Sequence, residues 1–218
     1  MLKKRANILS ILIPILFLIG EMIISLIFYP IIFEKVKWSA ITICIAIVTY
    51  ILLWNYLKPD RYSKVCGLII GLLFIINISI EEFINWKTQA STLISTLSLM
   101  FLIFVSFSVI SGIRTIKSEN ITAGVKSSFS SSLLGTIIAL CYGFLINFLF
   151  SDRMVFILKG YPGYSDFSNP RAFTFFNSFD NASNHVIIAP IISIIMGIVG
   201  GWTALIFLNL KRKKNLNN

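Results

Sequence analysis

Six stretches of about 20 mostly apolar residues recur along this chain, parted by charged or turn-forming breaks of which all but one are short. An apolar helix of that length matches the hydrocarbon thickness of a bilayer. In water it would leave too much apolar surface uncovered. Composition agrees: 56% of residues are hydrophobic and 13% charged, against about 25% charged in a soluble domain. The expected fold is an all-α, polytopic membrane helix bundle, with residues 1–218 forming one integral membrane domain. Spans are expected near residues 8–29, 38–57, 64–84, 88–113, 128–150 and 186–210. The third is the shortest. Its uncharged stretch runs from Val65 to Ile80, so Lys64 must snorkel and Glu81 and Glu82 are expected among the headgroups.

The net charge of +10 reads as orientation rather than as a nucleic-acid surface, because the charges sit in the breaks between apolar runs. An even number of spans puts both termini on one side. That side carries Lys3, Lys4, Arg5, Lys58, Arg61, Lys64, Arg114, Lys117, Lys126 and the run Lys211 to Lys214, which make 13 of the 19 basic residues. The positive-inside rule assigns it to the cytoplasm and the chain to a cell membrane. The Ile, Lys and Asn bias is that of an AT-rich, bacterial genome. Trp38 and Trp86 fall at the expected outer boundary, Trp54 near the inner one and Trp202 in the inner half of the last span. The N-terminus resembles a secretory signal, but its apolar run continues to Phe33 with no small-residue cleavage site, so an uncleaved first helix is expected.

One connection is long, the external loop 151–185. Ser151 or Asp152 is placed to cap a short helix ending at Gly160, and Tyr161-Pro162-Gly163 is a turn signal. Asn169-Pro170 then reads as an N-cap followed by proline at the first helical position. Ala172, Phe175, Phe176 and Phe179 recur at helical spacing beyond it. That predicts a short amphipathic helix, either lying in the outer membrane interface or packed over the bundle as a lid.

Small residues recur at every fourth position in the fifth span (Ser127, Ser131, Gly135, Ala139, Gly143) and in the sixth (Ala189, Ser193, Gly197, Gly201), with Gly67 and Gly71 in the third. Such stripes let helix backbones approach closely. They also suit a sliding surface or contact with a second membrane protein. The serines between Ser127 and Ser132 read as an interfacial helix start. Cys44, Cys66 and Cys141 have no disulfide or zinc spacing and read as small buried hydrophobes.

Glu21 is the one charged residue between Ala6 and Phe33. An acid near the bilayer centre costs about 2.5–3.5 kcal/mol on insertion scales and so faces a bundle interior. Neutral polar residues expected at similar or outer depth are Thr42, Asn77, Thr96 and Asn147. With Glu21 they make a candidate polar pocket opening outward, for substrate or protons. The alternative is a neutral glutamate that holds helices together. His185, the single histidine, and Asp180 form a second candidate at the external mouth, short of the three or four ligands that zinc needs.

No nucleophile–base set, phosphate loop or cofactor motif stands in the sequence, and no catalytic, metal or cofactor residue is assigned. The expected function is small-solute transport or binding through the outward pocket. The alternative is an accessory or scaffolding subunit that binds another membrane protein. The expected partners are the lipid bilayer and either that protein or a second copy of the chain, with no nucleic acid.

Overall fold

A computed structural model describes residues 2–84 and 89–216, with side chains for 8–83, 97–213 and 215. Among these residues the regular structure is all helical, with no strand. The elements are α1 (Leu2–Phe28), α2 (Phe33–Leu57), α3 (Arg61–Ser79), α4 (Gln89–Ser118), α5 (Ile121–Leu149), α6 (Ser151–Leu158) and α7 (Pro170–Leu216). A single π-helical turn, Ile80–Ile84, extends α3. Six helical stretches are long and apolar enough to cross a membrane: Ile8–Phe28, Pro30–Leu57, Arg61–Phe83, Leu97–Ser118, Ile121–Leu149 and Pro170–Lys213.

The breaks between helices follow from local chemistry. Lys58 ends α2 in the left-handed region (φ 47°), with its N–H on the Trp54 carbonyl. Pro59 cannot continue a helix, and Asp60 starts the next one. The Asp60 Oδ1 accepts from the Ser63 N–H at 2.9 Å and from its hydroxyl at 2.8 Å, an N-cap. Arg114 of α4 closes on the same carboxylate at 2.8 Å. Asn120 caps α5 in the same way, accepting from the Thr122 N–H at 2.8 Å. Arg212 near the end of α7 pairs with Glu119 beside that cap, so the α2–α3 and α4–α5 connections lie at the same end of the bundle as the C-terminus.

α5 is the central helix, packed against α1, α3, α4 and α7. Glycines set the closeness of its contacts. A Cβ at Gly67 would stand 2.9 Å from the Leu134 Cβ, one at Gly71 2.9 Å from the Ile138 Cβ, and one at Gly135 2.6 Å from the Ile70 Cγ2, so α3 and α5 meet with no room to spare. At Gly197 the neighbour is the Ser128 Cβ of α5, 3.2 Å away, and at Gly201 the Ile121 Cγ2, 3.0 Å away. The tightest approach is one the four-residue spacing passes over. A Cβ at Gly200 would fall on the Ser108 backbone of α4. Gly143 departs from the expected stripe: a Cβ there meets nothing within 4 Å, so this residue seals no helix contact.

The serine cluster is also placed differently from expectation. Ser127, Ser128, Ser130, Ser131 and Ser132 are buried inside α5 rather than standing at a helix start. Their hydroxyls tie three helices together. Ser131 donates to the Ser63 carbonyl at 2.9 Å, Ser127 pairs with the Ser63 hydroxyl at 3.0 Å, and Ser128 donates to the Ser193 carbonyl at 2.9 Å. On the other side of α7, Ser108 and Ser111 of α4 donate to the Met196 and Gly197 carbonyls at 2.8 and 2.5 Å. In a medium without water such bonds replace the association that lipid does not drive.

α7 begins where expected, with the Asn169 Oδ1 accepting from the Arg171 N–H at 3.0 Å. It does not stop after the aromatic segment. It runs for 47 residues without a break, so the expected short amphipathic helix is the first part of the last spanning helix. Its aromatic face is turned into protein, not toward the membrane interface: Phe173, Phe175 and Phe179 are buried. Phe175 stacks on Tyr29 at 5.0 Å and meets Phe148 at 4.7 Å, while Phe179 meets Phe144 edge-on at 5.0 Å. Pro190 lies inside this helix and supplies no N–H to the Val186 carbonyl. The buried Tyr50 hydroxyl of α2 donates to that carbonyl instead, at 2.7 Å. Trp54, expected in an interfacial belt, is buried in the core between α1, α2, α5 and α7. Trp38 and Trp202 are exposed, and Trp86 lies outside the described residues.

Candidate functional site

A cavity of about 280 Å³ lies between α3, its π turn, α4, α5, α6 and α7, at the end of the bundle away from the C-terminus. Its walls are mixed. Phe74, Met100, Leu140, Phe144, Met154 and Leu158 make the apolar part. Asn77, Glu81, Glu82, Tyr161, Asn177, Ser178, Asn181 and His185 bring the polar groups. This mixture of an apolar wall with a few converging polar groups is the usual make-up of a small-molecule site.

Each polar group is positioned by its helix. Asn77 is on the last full turn of α3 and is 2% exposed. Its Oδ1 has no hydrogen-bond partner among the described residues. In an ordinary α-helix two consecutive side chains point about 100° apart. The wider π turn, with its i→i+5 bonds, lets Glu81 and Glu82 share the face of Asn77. The Glu82 Oε2 is likewise buried without a partner. Gly143 opens the space in front of them, since its missing side chain would project into the cavity. Asn147 stands one bond behind the wall. Its Nδ2 donates to the Gly143 carbonyl at 3.0 Å and to the Ser178 hydroxyl at 2.5 Å. α6 and the following turn close the side, bringing Tyr161 against the acids. Burial there, with the charges of Glu82 and Glu81, raises the Tyr161 hydroxyl above its ordinary value.

Glu21, Asn77 and Asn147 therefore do not form one cluster. Asn77 lines the cavity and Asn147 braces it. Glu21 does not line it. It is buried on α1, facing α5 near Cys141, with neither carboxylate oxygen bonded to a described residue. The Thr96 side chain lies outside the described residues, and Thr42 borders a separate apolar groove between α2, α5 and α7. The pair at the mouth also separates. His185 lines the cavity, with its Nδ1 2.8 Å from the Asn181 carbonyl, whereas Asp180 is exposed and its carbonyl accepts from Asn184 at 3.2 Å. Among the described residues no three His, Cys, Asp or Glu side chains converge in a way that would hold a metal.

Glu81 and Glu82, expected among the headgroups, line the cavity, a place that sequence reasoning did not give them. The signal was present: two adjacent acids closing an apolar run too short to span. The π turn that points both inward left no mark in the sequence. Comparison with protein-family models, with curated proteins and with solved structures finds no match to this chain.

Proposed function

We propose that this chain binds or transports a small solute across a cell membrane, and that its site is the cavity between α3, α4, α5, α6 and α7 rather than a pocket around Glu21. The observation that carries this reading is the cavity itself. It is many times the roughly 30 Å³ of one water molecule, and two acceptors with no partner among the described residues, the Asn77 Oδ1 and the Glu82 Oε2, are buried in its wall. A buried polar group without a partner costs about 1–3 kcal/mol, which a bound solute would recover. The basic residues at the opposite end support cytoplasmic termini and a cavity that opens outward.

The accessory-subunit reading drew on the glycine stripes as surface for a partner. Gly67, Gly71, Gly135, Gly197 and Gly201 meet this chain's own helices, which removes that motivation.

The test is a thermal-shift screen of the purified chain in mild detergent against small cations, anions and neutral polar solutes. Gly143→Leu, which fills the cavity from a position with free space, serves as the control. At least one solute class should raise the melting temperature of the wild type and not that of Gly143→Leu. If none does, or if the variant responds equally, the solute-binding reading fails.

A further inference from the structure

The described wall of the cavity is acidic and has a definite hydrogen-bonding need. Its acids are Glu81 and Glu82, and no lysine or arginine is among the described residues that line it. A described guanidinium outside the lining, Arg153, acts on Glu82 and has one nitrogen 3.4 Å from the Phe83 carbonyl. Among the described residues the acids of this end of the cavity outnumber the one guanidinium beside them. His185 faces Glu81, and its Nδ1 is engaged by the Asn181 carbonyl.

Three groups of the wall have no partner among the described residues: the Asn77 Oδ1, on a residue 2% exposed, and the Glu82 Oε2, which can only accept from a ligand, and the Thr136 hydroxyl, which can accept or donate. A ligand that completes them must bring N–H or O–H donors, and the field favours a positive one. A bare metal ion is a poor match, because no three ligating side chains converge among the described residues. A quaternary ammonium has the charge but no donors. The rest of the wall is apolar and partly aromatic, which suits a hydrocarbon body next to a cationic head.

From this juxtaposition we infer that the cavity takes a small organic amine. Its ammonium group is held by the Glu82 carboxylate and the Asn77 side-chain oxygen, and its apolar body lies against Phe74, Met100, Leu140 and Phe144. The inference rests on the solute-binding reading and names the class of solute.

The experiment uses the full chain in detergent at neutral pH and three probes of similar size: 2-phenylethylamine, its N,N,N-trimethyl derivative and 3-phenylpropanoate. Binding is measured by calorimetry and by thermal shift. The primary amine should bind, the trimethyl compound at least tenfold more weakly and the carboxylate not at all. Glu82→Gln should weaken the amine tenfold or more, and Gly143→Leu should abolish its binding, which separates site binding from detergent partitioning. Should Glu82→Gln fail to fold, the three probes on the wild type decide. Equal binding of the primary and trimethyl amines, tighter binding of the carboxylate, or amine binding unchanged in a folded Glu82→Gln overturns the inference. If amines fail while an anion or neutral solute stabilises the wild type and not Gly143→Leu, the amine class is wrong and the solute-binding reading stands. If nothing binds, both fall.

Discussion

Tyr50→Phe removes one oxygen, and the geometry of α7 says what that oxygen does. Residue 190 is proline, so the Val186 carbonyl four residues earlier has no helical N–H to accept from. The Tyr50 hydroxyl, on a side chain 3% exposed, takes its place at 2.7 Å. Losing a partner inside the bundle leaves the carbonyl unsatisfied, at a cost of about 1–3 kcal/mol. For a chain of this size each kcal/mol moves the melting temperature by about 2–4 °C, so a fall of about 2–12 °C is expected. Buried Cys66 and Cys141 provide the assay, since a thiol-reactive fluorophore reaches them on unfolding, while exposed Cys44 sets the baseline. The decisive measurement is the double-mutant cycle with Pro190→Ala. Alanine restores an N–H to the Val186 carbonyl, so Tyr50→Phe in that background should cost less than half as much. An equal loss in both backgrounds would refute the argument and reduce Tyr50 to packing.

Gly200→Ala and Gly143→Ala gain the same helix propensity, so the difference between them reports packing. The Gly200 Cβ would sit 2.6 Å from the Ser108 carbonyl carbon and 2.7 Å from its Cα, backbone atoms that cannot rotate away. Overpacking of about 1–3 kcal/mol predicts a melting temperature lower by about 2–12 °C for Gly200→Ala, and equal values would show that α4 and α7 are not in close contact. Glu21→Met removes a buried carboxyl whose oxygens lack partners among the described residues, so stability should hold or rise by about 1–3 kcal/mol with solute binding unchanged. A loss of solute binding in a folded variant would return Glu21 to the site. Burial pushes the Asp60 carboxyl upward, but the Ser63 bonds and the Arg114 charge outweigh it and hold Asp60 below its ordinary value of 3.8. Its stabilising contribution is therefore complete above that value and lost as pH falls through the lower, folded one. Asp60→Asn should flatten the melting-temperature profile between about pH 5 and pH 2, and an unchanged slope would contradict the cap and ion pair. Cysteines placed at Lys37 and Lys159 should react with an impermeant thiol reagent in intact cells and those at Lys58 and Lys117 should not. Labelling at Lys58 would invert the proposed orientation.

The spans were legible because length and apolarity are properties of a segment alone. So was the start of α7, since Asn169 and Pro170 act on their own backbone. What α7 does next was not legible. The polar stretch from Asp180 to His185 looks like a boundary before the span expected from 186, yet the helix runs through it. Past it, Tyr50, 140 residues before Pro190, satisfies the carbonyl that the proline leaves open. The serines of α5 misled for the same reason. Polar residues near a predicted helix end suggest an interface, and only the carbonyls of Ser63 and Ser193 show them to be interior. For the site, the sequence supplied Asn77 and Asn147 in a pocket around Glu21, and His185 beside Asp180 in a second one. Which of them share a space depended on the π turn and on Gly143, whose spacing suggested a seam and whose surroundings are open.

The length of α7 has a mechanical consequence. At 1.5 Å per residue its 47 residues reach about 70 Å, against about 40–45 Å for a bilayer with its headgroups. A single rod therefore carries Asn177, Asn181 and His185 of the cavity wall at one end and Arg212, clasped to Glu119, at the other. Pro190 is the one proline joint along it. If a solute enters the cavity as proposed and tilts the upper segment, it must either bend the rod at that joint or strain the clasp at the opposite end of the bundle. On that proposal occupancy at one end has a direct lever to the other, with no loop between them to absorb the movement.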